Sequence, residues 1–231
     1  MRCSYLVLFA AFLSYLILAS VVHAAPPPVP AHRLESDPPP PAVSGSIELR
    51  LNEFLAGPAR DWDGDGALST RDDEWIEVVN IGTAPLDLSS FYFTDGDSIP
   101  RFAFTGTLAP AGRRLVFGGE AYAWEKATGH PAFGLSLGNT GDQVILWQVV
   151  GADSVVVDRY TYLAHEGAAD RAVGRIPDGT GEWALLDGLD PYTGSLTPPA
   201  TGCTPSPGWA NACSVTAAKR VSWGGLKQLY R

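Results

Sequence analysis

From Leu49 the chain alternates. Leu49 and Leu51 are apolar and Glu48, Arg50 and Asn52 are polar, and Ile47 belongs to the same apolar series. A period of two is the signature of a strand with one buried face. Further strands are predicted at 75–80, 91–95, 101–104, 114–118, 144–150, 155–162 and 171–176, with a weaker one at 182–185. These segments are short, rich in Val, Ile, Phe, Tyr and Trp, and separated by Gly, Pro, Asn and Asp. The stretch from Val150 to Val155, containing Gly151 and Asp153, reads as a hairpin turn. Only 121–128 has helical character, about two turns of it. Many short strands with almost no helix predict an all-β sandwich of antiparallel strands.

The pattern is absent at the N-terminus. Residues 5–22 are almost wholly apolar, and Val22-His23-Ala24-Ala25 supplies the small residues that a signal peptidase reads. This predicts a secretory leader over 1–24; the alternative is an uncleaved membrane anchor. Cys3 precedes the apolar run and so is no lipobox cysteine. Residues 25–45 carry eight prolines, including Pro38 to Pro41. Such a segment cannot build a core and is expected to be a disordered, polyproline-like spacer. The folded domain is then expected over 46–213, with a tail over 214–231. In that tail Lys219, Arg220, Lys227 and Arg231 are basic, and Trp223, Leu226 and Tyr230 share one face of a short helix. It is a candidate for weak contact with an anionic envelope surface, or for packing back on the domain.

Composition narrows the function. The formal net charge is −9, which disfavours a nucleic-acid partner, since phosphate binding needs a basic face. Beyond the leader only Cys203 and Cys213 remain, and an even pair in an exported chain predicts a disulfide rather than two free thiols.

The sharpest chemical signal is Asp61-Trp62-Asp63-Gly64-Asp65-Gly66-Ala67-Leu68-Ser69-Thr70-Arg71-Asp72. Counted from Asp61, carboxylates fall at positions 1, 3, 5 and 12, glycine at 6, an apolar residue at 8 and a hydroxyl at 9. This is the EF-hand loop pattern with Asp in place of the final Glu. A hard cation such as Ca2+ takes six to eight oxygens at about 2.3–2.6 Å. The expected ligands are Asp61, Asp63, Asp65, the Ala67 carbonyl, Ser69 and Asp72, with Asp73 as an alternative at the last position. Leu68 is expected to anchor the loop in the interior. Both flanks read as strands, so the loop resembles calcium loops grafted onto other scaffolds, as in dockerin modules. Glu53 shares parity with Leu49 and Leu51 and is expected on the apolar face, where it needs a partner.

The order of motifs also resembles a known family. Leu51-Asn52-Glu53-Phe54-Leu55, the acidic loop, and Asp73-Glu74-Trp75-Ile76-Glu77-Val78-Val79-Asn80 are similar to the opening of the lamin-tail domain. Pro85 to Ser89, Phe91-Tyr92-Phe93, Leu108 to Gly112, Leu135 to Asp142, Val173 to Trp183 and Ser206-Pro207-Gly208-Trp209-Ala210-Asn211 continue the resemblance over 46–212. It implies an immunoglobulin-like sandwich, the exported bacterial branch of the family, and a non-catalytic module of the kind found beside extracellular enzymes or surface domains.

Other chemistry has bland readings. Gly134-Leu135-Ser136-Leu137-Gly138 spells G-x-S-x-G, but a nucleophile elbow needs a helix after it, and none is predicted. His130 and His165 read as exposed loop histidines without a zinc ligand set. Arg171 and Arg175 are expected to pair with carboxylates such as Glu53 or Glu77. The expectation is a secreted or cell-surface monomer, with the periplasm as an alternative. It is expected to bind a polymer or protein through sandwich-end loops bearing the exposed aromatics Trp62 and Trp124, and not to be an enzyme; a hydrolase using Ser136 is the last alternative. A purely structural accessory is the second reading.

Overall fold

A computed structural model describes residues 48–211 and Cys213. The expected leader, the proline-rich spacer and the basic tail lie outside the described residues. The described chain is an all-β sandwich with one short helix. Its elements run β1 (Leu49–Leu55), β2 (Trp75–Asn80), β3 (Leu86–Asp87), β4 (Phe91–Thr94), β5 (Pro100–Ala103), β6 (Thr107–Leu108), β7 (Arg113–Phe117), α1 (Gly118–Thr128), β8 (Gly141–Val150), β9 (Asp153–Leu163), β10 (Ala172–Ile176) and β11 (Glu182–Leu186). Every strand expected from the sequence is present. β3 and β6, two residues each, are additions.

The strands form a five-stranded sheet in the order β11-β10-β1-β2-β7, a four-stranded sheet in the order β5-β4-β8-β9, and the small pair β3-β6. All the pairings between these strands are antiparallel. Alternation builds the core. Leu49, Leu51, Ile76, Val78, Val116 and Val173 from one sheet meet Phe91, Phe93, Val144, Leu146 and Tyr162 from the other, all buried. Each large apolar side chain so buried contributes about 1.5–3 kcal/mol.

The parity of β1 breaks once. Leu51 pairs with Val78, but Glu53 pairs with Glu77 and Phe54 with Ile76, so Asn52 is an extra residue in a β-bulge. A one-residue slip flips every following side chain. Phe54 therefore takes the core position, and Glu53 turns to the outer face of the five-stranded sheet. The expectation that Glu53 faces the sandwich core is corrected by this bulge.

That outer face has its own cover. Leu55, Trp75, Ala172 and Leu186 form a second buried cluster, with Trp62, Phe117 and Cys203 packed on it. The disulfide Cys203–Cys213, with Cα atoms 5.8 Å apart, closes the segment that lies over Glu53 and Glu77. Gly174 lets that segment approach. A Cβ there would stand 2.7 Å from Asn211 Nδ2 and 3.1 Å from Glu53 Cγ.

The two sheets are also joined along one edge. Asp158 Oδ2 on β9 accepts the Leu51 N–H of β1 at 3.1 Å, and Arg50 Nη1 donates to the Val157 carbonyl at 3.2 Å. Arg175 pairs with Asp158 at 3.1 Å and Arg171 with Asp190 at 2.9 Å. Both arginines pair with carboxylates, but with neither Glu53 nor Glu77, the partners expected from sequence, because β10 directs Arg175 toward β9.

Candidate metal site

The acidic loop leaves the end of β1 and returns at β2. Its turns are made by its own aspartates, which bond backbone amides two to five residues on, as short acidic side chains do. Asp61 accepts the Gly64 N–H at 2.7 Å and the Gly66 N–H at 2.9 Å. Asp63 accepts from Asp65 at 3.0 Å, and Asp65 accepts from Ala67 at 2.7 Å. Gly66 has φ of 94°, a left-handed conformation that a side chain would strain.

Two buried aspartates fasten the loop to the domain. Asp73 accepts the Trp62 N–H at 2.6 Å, the Asp63 N–H at 3.1 Å and the Ser69 N–H at 2.7 Å. Asp170 accepts the Ala59 N–H and the Trp62 indole N–H, both at 2.9 Å, and pairs with Arg60 at 3.0 Å. Trp62 also packs edge-on against Trp75, with ring centroids 6.0 Å apart. On the other side the Arg71 guanidinium lies 4.0 Å from the Tyr122 ring centroid of α1, and Gly119 donates its N–H to the Asp72 carbonyl at 3.2 Å.

Asp61, Asp63 and Asp65 thus converge on one exposed point, each offering a carboxylate oxygen within 4.8 Å of the others. Asp63 shows the electrostatic cost. The Asp65 amide pulls its carboxyl pKa down, but desolvation and the neighbouring charges of Asp65, Asp73 and Asp61 outweigh it, and the net shift is upward. A divalent cation would relieve that repulsion, and all three donors are hard oxygens. Asp72 is placed differently. Its carboxylate takes Arg71 at 2.6 Å and the Ser69 hydroxyl at 3.0 Å, and the Arg71 bond holds its pKa down. Asp73 serves as an amide acceptor beneath the loop.

Several sequence expectations are corrected here. Leu68 is 57% exposed and anchors nothing in the interior; Trp62, held by Asp170 and Trp75, takes that part. Trp62 and Trp124 are half-buried, not exposed. Trp124 packs on Phe102 and stacks on His130 at 4.8 Å. His165 lies against Tyr192 at 4.9 Å, with both ring nitrogens buried and without hydrogen-bond partners. Neither histidine is a free loop side chain. Ser136 sits in irregular chain between α1 and β8, and its neighbour Leu137 donates an N–H to the buried Glu74 at 3.1 Å. Among the described residues the most exposed aromatic is Trp209, at 78%, followed by Phe133 at 57%. Asp170 and Trp209 carry no periodic or motif signal of their own, although a tryptophan in a Pro-Gly turn is unusual for a solvated segment.

No family model, no curated protein and no solved structure matches the chain.

Proposed function

We propose that this chain is an exported, calcium-stapled β-sandwich of the lamin-tail type, which binds an extracellular or envelope polymer or protein and does no catalysis. The observation that carries the calcium assignment is the convergence of Asp61, Asp63 and Asp65 on a loop whose backbone Asp73 and Asp170 already hold. When bound, the ion neutralises the cluster. Asp61, Asp63 and Asp65 would hold it, with the Ala67 carbonyl, Ser69 and Asp72 as the remaining donors of the pattern. The net charge of −9 suits a soluble partner of divalent cations and disfavours nucleic acid. The order of lamin-tail motifs supports the module type, and the apolar, small-residue N-terminus supports export.

Calorimetry with calcium chloride tests the site. The unmutated protein is expected to give saturable binding heat, and Asp63→Ala to lose it. Absence of heat in the unmutated protein would sink the assignment.

A second reading, in which calcium only locks the fold, is favoured by the fastening of the loop to the outer face of the sheet through Trp62. A binding screen against envelope glycans and proteins, with and without calcium, separates the two. The module reading expects a partner whose binding weakens in Trp209→Ala. A protein that melts far higher with calcium yet retains no partner is a structural accessory.

A further inference from the structure

Away from the acidic loop, the outer face of the five-stranded sheet buries two facing carboxyl groups, Glu53 on β1 and Glu77 on β2, which are register partners. Their surroundings differ. Glu77 accepts from Asn52 Nδ2 at 2.7 Å and from the Gly208 N–H at 2.7 Å, and Arg113 Nε of β7 lies 3.8 Å away. Glu53 has no cation within ion-pair distance among the described residues. It meets only the Ser206 N–H, at 2.9 Å, and the Ser206 hydroxyl, at 2.9 Å.

Counting protons decides its state. Asn211 Nδ2 donates to the carbonyls of Asn52, at 3.4 Å, and Arg175, at 3.1 Å, so Asn211 Oδ1 is the atom facing Ser206 Oγ at 2.8 Å. Oδ1 can only accept, and an ionised Glu53 can only accept. Ser206 has one hydroxyl hydrogen and cannot serve both. The network closes if Glu53 carries the proton: Glu53 Oε2–H donates to Ser206 Oγ, and Ser206 Oγ–H donates to Asn211 Oδ1. No buried acceptor is then left waiting and no second buried negative charge faces Glu77.

We infer that the 206–211 segment is a latch closed by a single proton on Glu53, and that loss of this proton frees the segment, with its exposed Trp209, from the sheet. The bonds that hold the segment are few and meet at this point: Ser206 to Glu53, Gly208 to Glu77, and Asn211 to Asn52, Arg175 and the Asp178 carboxylate at 2.8 Å. The charged groups around the pair are Glu77 on β2, Arg113 on β7, and Asp178 after β10, which pairs with Arg113. From β10 the site meets Gly174 and the Arg175 carbonyl, while the Arg175 guanidinium turns away to Asp158. Ionising Glu53 therefore adds a negative charge where the one nearby cation is already shared by two carboxylates.

The direction of the pH response follows. Burial raises the Glu53 pKa from 4.5 to about 8; the Ser206 amide and hydroxyl oppose this, and Glu77 adds to it. The folded state keeps a proton that the unfolded chain releases near 4.5. The contribution of Glu53 is complete below pH 4.5 and is lost as pH rises through about 8.

The test is an NMR titration of the full chain from pH 5 to 9.5. The Glu53 carboxyl carbon is expected to keep the shift of a neutral acid to pH 7 and to move with a midpoint near 8. The Ser206 and Gly208 amide resonances should move with that midpoint and lose their hydrogen-exchange protection above it. In Glu53→Gln, which keeps an acceptor for the Ser206 amide, both amides should stay protected throughout. A Glu53 carbon at the ionised shift at pH 6, or amides that do not follow it, overturns the proposal. So does a Glu53→Gln protein whose amides still titrate. If that variant does not fold, the co-titration in the unmutated protein decides alone.

Discussion

Arg101→Ala is expected to lower the free energy of unfolding by about 3–5 kcal/mol, measured by urea denaturation at pH 8. Arg101 is 2% exposed and its guanidinium is shared by three carboxylates: Asp95 at 2.9 Å, Asp97 at 2.6 Å and Glu125 of α1 at 3.3 Å. Asp95 and Glu125 are themselves buried. Glu125 also accepts the Phe133 and Gly134 amides at 2.6 and 2.8 Å, so the cluster ties the helix, β5 and the turn after the helix together. Removing one partner of a buried ion network leaves the others charged and unpaired, which costs more than the network contributes relative to an apolar core.

The loss should shrink in acid. Burial is the main cause that raises Asp95 from its ordinary 3.8 to about 6, against the pull of Arg101. The group's contribution is complete below 3.8 and is lost as pH rises through 6. Without the guanidinium its ionised form is still less welcome, so the variant should recover part of its stability at pH 5. A deficit equal at pH 5 and pH 8 would mean that lost packing, and not unpaired charge, is the cause. Arg101→Lys should fall between the two proteins, keeping the charge but losing the fork that reaches three partners.

The second large effect is expected from calcium. A ligand bound only by the folded state stabilises by about 4 kcal/mol at free concentrations a thousandfold above its Kd. For a domain of this size that is a rise in melting temperature on the order of 10 °C. Differential scanning calorimetry in millimolar calcium against a chelator should show it, and Asp63→Ala should melt alike in both. An unmutated protein with the same melting temperature in both conditions would remove calcium from the account. The loop is already folded by Asp73 and Asp170, so little ordering opposes binding, and near-UV circular dichroism should change little on calcium addition.

What could be read from the chain, and what could not, divides by range. Strands such as Trp75–Asn80 follow from a short run rich in Trp, Ile and Val and need no knowledge of neighbours. β3 and β6 are too short for any period to register. The helix begins at Gly118, three residues earlier than expected, because Gly118 and Gly119 are weak helix formers held there by the carbonyls of Glu74 and Asp72. The facing of Glu53 failed for a local reason: Leu51-Asn52-Glu53-Phe54-Leu55 fits both parities, and only the pairing with β2 shows which residue is extra. In the acidic loop, the metal-facing carboxylates were legible because their spacing is the chemistry. Its fasteners were not, since Asp170 lies 109 positions after Asp61 in sequence and is brought to it by β10.

Last, the clasp between Asp158 and Leu51 bears on solubility. A two-sheet sandwich has four strand edges, each a template for pairing with another copy. β9 spends its edge on β1, β5 lies against α1, and β11 carries a parallel bridge from Leu185 to Ala200. β7 touches the start of α1 but meets no further strand or bridge among the described residues, and it carries the adjacent arginines Arg113 and Arg114. Both are held in ion pairs, Arg113 with Glu77 and Asp178 and Arg114 with Glu120, so a copy pairing along that edge would have to displace charged side chains. The domain therefore guards against end-to-end fibre growth by engaging three edges and lining the fourth with ion-paired side chains.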